Sequence, residues 1–257
     1  MTKTSLRDQA YKYLREKILT GSLQTGSMVS ELSLSKEIGI GRTPVREAIR
    51  QLQLEGLVEQ VPRYGTIVCK PNRHDLIELY QIREGLEPYA VGLAIDKISL
   101  EEVNILDKLC DKMQDIACEF EKSGDKYLEG DLLKLFVSVD MTFHTLLIRA
   151  AGNERIEKIV DEMRMFNRLF ITQRHFHDLT VITDAHSFHQ RILDAIKQKD
   201  VDLAKDLLTK HIRIGLQQAL DNYDRNQSQP PIGISEEAEV VDDMLRELSG
   251  NELGEDG

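Results

Sequence analysis

The chain of 257 residues contains no tryptophan, and aromatic residues make up only 5% of it. This scarcity argues against a carbohydrate-binding or aromatic-stacking surface. No apolar run approaches the roughly 18 residues that a membrane-spanning helix needs, and the first residues lack the apolar core of a signal peptide. The three cysteines, Cys69, Cys110 and Cys118, form no CxxC pair, which argues against a disulfide framework and a thiolate zinc site. We therefore expect a cytoplasmic protein with no membrane partner.

The net charge of −11 is distributed unevenly along the chain. Residues 1–72 hold 11 basic and 7 acidic side chains, whereas the rest of the chain holds 22 basic and 37 acidic ones. Apolar residues make up 41% of the sequence, which is enough to bury a core. Because stretches of different charge suit different partners, we predict three parts. They are a basic domain over 1–72, a second domain over 73–226 and an acidic, flexible tail over 227–257.

The first 72 residues combine three helical segments with one hairpin pattern. Apolar residues recur at the spacing of a helix in each segment. Pro44 fits the first turn of the third helix, where Gly41 or Thr43 can act as the cap. From Leu57 the pattern changes to that of strands and is interrupted by a turn at Pro62-Arg63-Tyr64-Gly65. This order predicts a winged helix-turn-helix. The apolar positions expected in the third helix are Val45, Ile49, Leu52 and Leu54.

Beyond residue 72 the sequence predicts helices with almost no strand signal. Ser99 with Glu102 forms a capping box, Gly124 marks a helix end, and Asp200 begins the last helix. An antiparallel all-α bundle of about 150 residues is a normal size for one domain. The predicted fold class is therefore mainly α: a winged helix-turn-helix with a small β-hairpin, followed by a helical bundle. The six bundle helices are expected near residues 74–97, 99–122, 125–151, 153–176, 180–198 and 201–224.

The third helix carries the residues best suited to reading DNA. Arg46 and Arg50 are four residues apart, so they share one face of the helix. An arginine can bind guanine O6 and N7 in a bidentate way, while Thr43 and the free amide groups at the helix start suit phosphate. Arg63 and Tyr64 occupy the hairpin tip, from which they could reach a neighbouring groove or the backbone. The plainer alternative is a solvated basic face without a partner.

One stretch of the N-terminal domain has a specific pattern. It reads Ile38-Gly39-Ile40-Gly41-Arg42-Thr43-Pro44-Val45-Arg46-Glu47-Ala48-Ile49, and Gly65 follows in the hairpin. This pattern resembles the signature of the GntR family of bacterial transcription regulators. The resemblance implies that Arg42, Thr43 and Arg46 contact an operator and that Gly65 approaches DNA closely.

Two positions depart from the family's pattern. Gly41 stands where the family usually has serine, which removes one cap or phosphate contact. Leu32 stands where some members have an operator-reading arginine. We therefore expect the DNA sequence that is read to differ from those of well-studied relatives.

Histidines are concentrated in the second domain, where six of the seven lie between His144 and His211. Asp140 and His144 are four residues apart on one predicted helix, so both side chains point to the same side. His189 and His211 lie on the fifth and sixth bundle helices. One carboxylate and three imidazoles could converge on a divalent ion, and Zn, Ni, Mn and Fe all suit these donors. His186 is a rival on the face of His189, and a histidine on a helix is more often exposed or hydrogen-bonded than a ligand.

A second resemblance covers nearly all of residues 74–222. Its residues are Asp140-Met141-Thr142-Phe143-His144, Ala151-Gly152-Asn153, His189-Gln190-Arg191-Ile192-Leu193-Asp194-Ala195-Ile196 and His211. They are similar to the FCD effector domain of the FadR subgroup, and six helices rather than seven indicate its VanR-like branch. The resemblance implies that Asp140, His144, His189 and His211 bind a metal. It also implies that Arg83, with the metal, holds a metabolite that bears a carboxylate.

These features predict a homodimeric, sequence-specific DNA-binding transcriptional regulator, with repression as the expected mode, that binds an inverted-repeat operator. A small anionic metabolite bound with the divalent metal is expected to change its DNA affinity. Two alternatives stay open: a metal-dependent hydrolytic enzyme, since such a site could activate water, and a body that only mediates dimerisation. Against an enzyme, the sequence has no HExxH motif, no ExxH pair and no GxSxG motif.

Overall fold

The computed structural model describes residues 5–171 and 177–227. Over these ranges the chain forms nine α-helices and one two-stranded antiparallel sheet, which confirms the predicted fold class. The helices are α1 (Leu6–Leu19), α2 (Glu31–Ile38), α3 (Arg42–Leu54), α4 (Arg73–Ala94), α5 (Leu100–Ser123), α6 (Gly130–Ala150), α7 (Glu154–Ile171), α8 (Leu179–Lys197) and α9 (Val201–Asn226). The strands are β1 (Val58–Val61) and β2 (Gly65–Val68).

Contacts divide the chain into two units. The N-terminal unit contains residues 5–75, and the end of α7 from Asp161 groups with it. The C-terminal unit contains Leu76–Val160 and residues 177–227. The division into parts at residues 72 and 226 stays a prediction, and the acidic tail beyond Gln227 lies outside the described residues.

The core of the N-terminal unit is built from the apolar faces of α1, α2 and α3 and the inner side of the hairpin. Ser30 caps α2 by accepting a hydrogen bond from the amide of Ser33 at 3.3 Å, and Gly39 ends the helix in the left-handed conformation. These local signals set the turn between α2 and α3. The buried residues of this core include Ala10, Leu14, Ile18, Leu34, Val45, Ala48, Ile49, Leu52, Leu57, Val58 and Val68.

Helix α3 begins at Arg42 with Gly41 as its N-cap, so Gly41 rather than Thr43 is the cap. Gly41 offers no side chain, and the cap accordingly makes no side-chain hydrogen bond. Of the four apolar positions expected in this helix, Leu54 lies outside the core, because its side chain is 90% exposed. Leu52 is fully buried, and a position two residues further along a helix points to the other side.

The hairpin forms where the sequence predicted it, with Val58 paired to Val68 and Val61 paired to Gly65. The sequence did not predict that the segment before α2 also pairs with the free edge of β2. The amide of Val29 donates to the carbonyl of Thr66 at 2.8 Å, next to a bridge between Met28 and Ile67. This extra pairing anchors the hairpin to the helices of the N-terminal unit.

The six helices that the sequence predicted beyond residue 72 are present as α4 to α9. The capping box of Ser99 and Glu102 is present, and Asp200 caps α9 by accepting from the amide of Leu203. Helix α6 begins at Gly130 rather than near residue 125, because a connection follows Gly124, which ends α5 in the left-handed conformation. The predicted end of α7 at residues 172–176 lies outside the described residues.

Helices α5, α6, α8 and α9 share one apolar core, to which Val91 of α4 also contributes. Phe143 of α6 and Met113 of α5 are fully buried in it. This packing fixes the inward faces of α6, α8 and α9, which carry the predicted metal ligands. In the part of the chain that the structure describes, no helix combines the length and apolar character needed to cross a lipid bilayer.

Candidate metal centre and nucleic-acid interface

The predicted DNA-binding side chains of α3 point to solvent. Val45 and Ile49 bury the inner face of the helix, so Arg46 and Arg50 project from the outer face. Arg42 and Thr43 lie exposed in the first turn, beside amide groups that no helical carbonyl accepts. The exposed residues among those predicted to bind DNA are Arg42, Thr43, Arg46, Arg50, Arg63 and Tyr64, and Gly65 is half-buried.

Glu31, the first residue of α2, lies among the arginines of α3. Arg46 Nε donates to Glu31 Oε1 at 2.9 Å, and Arg46 Nη2 donates to Glu31 Oε2 at 2.8 Å. Arg42 Nη2 lies 3.9 Å from the same carboxylate. The hydrogen bond from Arg46 holds the pKa of Glu31 below its usual value, so this acid is ionised at neutral pH. Reasoning from the sequence did not identify Glu31, because its partner lies on another helix.

The hairpin tip presents a polar and aromatic end to solvent. Tyr64 is 69% exposed, and its amide donates to the carbonyl of Val61 at 3.1 Å. Arg63 and Gly65 both have positive φ, 70° and 88°, as a tight hairpin loop requires. Leu32, the position at which the sequence resemblance marks a departure from an arginine, is 52% exposed. An apolar side chain is thus presented to solvent at this position.

The four predicted metal ligands converge in the C-terminal unit. His211 Nε2 on α9 lies 3.2 Å from His144 Nε2 on α6 and 3.2 Å from His189 Nε2 on α8. Asp140 Oδ1 lies 3.4 Å from His189 Nε2 and 4.0 Å from His144 Nε2. One donor atom from each residue lies within 4.8 Å of all the others. His186, the rival position on α8, is not part of this group.

The chemistry of this group fits a divalent cation. Burial and the neighbouring histidines lower the pKa of His189 well below its usual value, and burial and His144 do the same for the pKa of His211. Both rings are therefore neutral, which is the form that coordinates metals. A neutral imidazole carries a proton on only one of its two nitrogens. The three ring nitrogens that face one another therefore cannot all be joined by hydrogen bonds. One carboxylate and three imidazoles could hold zinc or another transition-metal ion.

A buried carboxylate lies directly behind His144. Glu87 on α4 is only 2% exposed, and its Oε2 lies 2.8 Å from His144 Nδ1, although the angle departs from that of a regular hydrogen bond. Its other oxygen, Oε1, accepts from Arg83 Nε at 2.7 Å. Burial alone would raise the pKa of Glu87, but Arg83 and His144 hold the pKa well below its usual range. Glu87 is thus an ionised buried acid between two partners.

Arg83, the predicted effector-binding residue, lies beside this network. Its guanidinium carbon is 5.0 Å from the centre of the Tyr80 ring. Its positive charge interacts favourably with the Asp140 carboxylate and contributes to lowering the pKa of His189 and His211. The ring of Phe143 stacks on that of His189, with centroids 4.0 Å apart. Reasoning from the sequence did not identify Glu87. The available signal was its position four residues after Arg83, where the two side chains of a helix can form an ion pair.

Comparison with known protein families assigns both units. Residues 6–68 match the family described as bacterial regulatory proteins, gntR family, and residues 78–214 match the FCD domain. The chain belongs to the GntR family, in the group with an FCD domain. The first description is of regulatory proteins, and neither description indicates an enzyme family.

Relatives of this GntR-family protein are named as regulators. The HTH-type transcriptional regulator YdhC of Bacillus subtilis is 29% identical over 79% of this chain and 86% of its own length. The gluconate operon transcriptional repressor of the same species is 28% identical over 78% of this chain and 79% of its own length. In fold, the chain is similar to Escherichia coli McbR/YncC, with a TM-score of 0.65, 19% identity, and coverage of 86% of this chain and 100% of the other. The protein is therefore a DNA-binding transcriptional regulator.

Proposed function

We propose that this regulator is a homodimeric repressor whose operator affinity depends on a carboxylate metabolite held by a divalent metal in the C-terminal unit. The single observation that carries the proposal is the convergence of Asp140, His144, His189 and His211 in an FCD domain. The exposed arginines of α3 provide the DNA-reading surface. Because operator DNA lies in the bacterial cytoplasm, we also propose that the protein works there.

In the proposed DNA complex, the start of α3 enters the major groove. Arg42, Arg46 and Arg50 provide base and phosphate contacts, and Thr43 and the hairpin residues Arg63, Tyr64 and Gly65 contact the backbone or a neighbouring groove. A symmetric dimer requires an inverted repeat, because each half-site meets one copy of the same helix.

Selection of binding sequences from random duplexes tests this part of the proposal. We expect an inverted repeat, with binding that weakens as salt rises by a log–log slope of about −0.9 for each phosphate contact. A selected motif without two-fold symmetry would contradict the homodimeric mode. A flat salt dependence would contradict the arginine-rich interface.

The four ligands would supply one carboxylate oxygen and three imidazole nitrogens to the ion. When bound, a divalent ion adds positive charge to a unit that is acidic overall, and this charge attracts an anion. Arg83 lies near the same centre and would add a second cationic partner, although Glu87 already takes its Nε. A hydroxy-acid or another small carboxylate fits such a pair of positive groups.

Metal analysis of purified protein tests the ligand set. After incubation with zinc and gel filtration, we expect one ion per chain in the wild type and almost none in His189→Ala. His186→Ala is the matched control, because it removes a histidine three residues earlier on the same helix but outside the group. Equal zinc in both variants would contradict the proposed ligands.

A thermal-shift screen in the presence of zinc tests the metabolite. Gluconate is a reasonable first probe, because a relative is named as the gluconate operon repressor and gluconate carries a carboxylate. Further sugar acids, dicarboxylates and amino acids should be compared with neutral sugars. We expect stabilisation by a carboxylate that needs both zinc and Arg83. Stabilisation that is unchanged in Arg83→Met would contradict the role of Arg83.

An enzymatic role has less support. A metal centre of this composition could activate water, but the matched GntR family is one of regulatory proteins and the relatives are named as transcriptional regulators. If the C-terminal unit only mediated dimerisation, the close grouping of four side chains of metal-ligand type would have no function. We therefore propose a sensing role and no catalysis.

A further inference from the structure

Glu87 holds a position that the proposed metal ligands do not explain by themselves. Its side chain is a carboxylate that is buried on α4, with 2% of its surface exposed. Burying a carboxylate is costly unless partners compensate for the loss of water. Its two compensating partners are Arg83 and His144, so the carboxylate joins the predicted effector arginine to a predicted metal ligand.

The short distance to His144 has a consequence for the protons of that ring. A carboxylate only accepts hydrogen bonds, so a neutral ring that approaches Glu87 Oε2 with Nδ1 at 2.8 Å must carry its proton on Nδ1. Its Nε2 then has a free electron pair. That atom faces His211 Nε2 at 3.2 Å and the Asp140 carboxylate at 4.0 Å, which is the direction of the metal centre.

We propose that Glu87 is a positioning residue that fixes the orientation and tautomer of His144 so that Nε2 is available to the metal. By holding Arg83 with its other oxygen, Glu87 also connects the anion-binding side of the site to the metal-binding side. Carboxylates that orient ligand histidines in this way strengthen metal binding. This inference rests on the proposed metal site and adds a residue that coordinates nothing itself.

Glutamine at position 87 would keep the size of the side chain but not its function. An amide has one acceptor oxygen and one donor nitrogen, whereas Arg83 and His144 both present donors. If the amide nitrogen faces His144, the ring must move its proton to Nε2, where it blocks the metal. If the amide nitrogen faces Arg83 instead, two donors oppose each other.

Zinc affinity measured by competition with a chelator tests the proposal on the intact protein. We expect Glu87→Gln to weaken zinc binding by roughly 10- to 100-fold while all four ligands remain. Glu84→Gln is the matched control: Glu84 lies three residues earlier on α4, binds Arg213 at 2.6 Å and is not part of the ligand group. We expect wild-type affinity in this control. Equal affinity in Glu87→Gln and the wild type would overturn the proposal.

Nitrogen NMR of metal-free protein labelled at histidine gives a readout that does not depend on the variant's folding. We expect the wild-type His144 ring to carry its proton on Nδ1, and a proton on Nε2 would overturn the proposal. If Glu87→Gln folds, its His144 should shift towards the Nε2–H form. If the wild type binds no zinc, the proposed metal site fails, whereas the NMR result still decides the role of Glu87.

Discussion

Glu31 of α2 binds one edge of the Arg46 guanidinium on α3. The contacts use Nε and Nη2, at 2.9 and 2.8 Å. A guanidinium is planar and rigid. Glu31 occupies the edge formed by Nε and Nη2, so the edge formed by Nη1 and Nη2 points away from Glu31. In the proposed DNA complex, Arg46 would therefore meet a base pair in a restricted orientation, with the cost of ordering its side chain already met before DNA binds.

We expect Glu31→Gln to reduce discrimination between the selected operator and a scrambled duplex. Arg46 would be freer, and the loss of one negative charge would favour any phosphate nearby. An exposed charge pair is worth about 0.2–1 kcal/mol, so the affinity ratio should fall by at most about five-fold. Fluorescence anisotropy with both duplexes measures this ratio.

The control for that experiment is Glu37→Gln. Glu37 lies on the same helix and binds Lys17 and Tyr13 instead of the arginines of α3. The Glu37→Gln substitution removes the same charge but leaves the contact between Glu31 and Arg46 in place, so the affinity ratio should stay at the wild-type value. An equal change in both variants would mean that net charge alone is responsible.

Arg46→Ala should cost roughly 1–3 kcal/mol of operator binding and relax the preference at one base pair. The reason is that α3 presents Arg46 outward while Val45 and Ile49 anchor the helix. Binding to a panel of operators with single base changes measures the preference at each position. A loss of the same size on every duplex would show that Arg46 contacts phosphate and reads no base.

Gly65→Ala should destabilise the N-terminal unit by about 1 kcal/mol, because the residue has φ of 88°. No atom lies within 4 Å of an added Cβ, so the cost arises from the backbone alone. Gly41→Ala is the control, since it has negative φ and its nearest contact would be an ordinary 3.9 Å to Pro44 Cδ. Urea unfolding of the intact protein compares the two. Equal stability of both variants would contradict the strain at Gly65.

The stability of the protein should fall above pH 10 through Tyr11. Its hydroxyl donates to Glu55 at 2.9 Å, and burial together with Glu55 raises the pKa of Tyr11 from 10 to about 12. The folded state thus keeps a proton that the unfolded state loses between these values, so this stabilisation is complete below pH 10 and disappears towards pH 12.

Tyr11→Phe isolates that contribution. Thermal unfolding from pH 8 to 11 should show a smaller decline in the variant than in the wild type, and lower stability at pH 8 because one hydrogen bond to a charged group is lost. Tyr64→Phe is the control, because Tyr64 lies exposed at the hairpin tip. An identical decline in the wild type and Tyr11→Phe would contradict the prediction.

The sequence predicted the features that depend on local signals. The capping box of Ser99 and Glu102 and the hairpin turn at residues 62–65 are set by neighbours in the chain, so their residue types reveal them. The ligand group needed the resemblance as well, because spacing alone could not separate His189 from His186. Glu31 and Glu87 stayed hidden, since an acid on a helix has the same appearance in the sequence whether water or another helix surrounds it.

We propose that DNA reading and metal sensing reside in different parts of the chain. The most direct test measures zinc content and operator affinity on the same preparations of wild type, Arg46→Ala and His211→Ala, without added metabolite. We expect Arg46→Ala to keep its zinc and lose operator affinity, and His211→Ala to lose its zinc and keep most of its operator affinity. Loss of operator affinity in His211→Ala as large as that in Arg46→Ala would contradict this proposal.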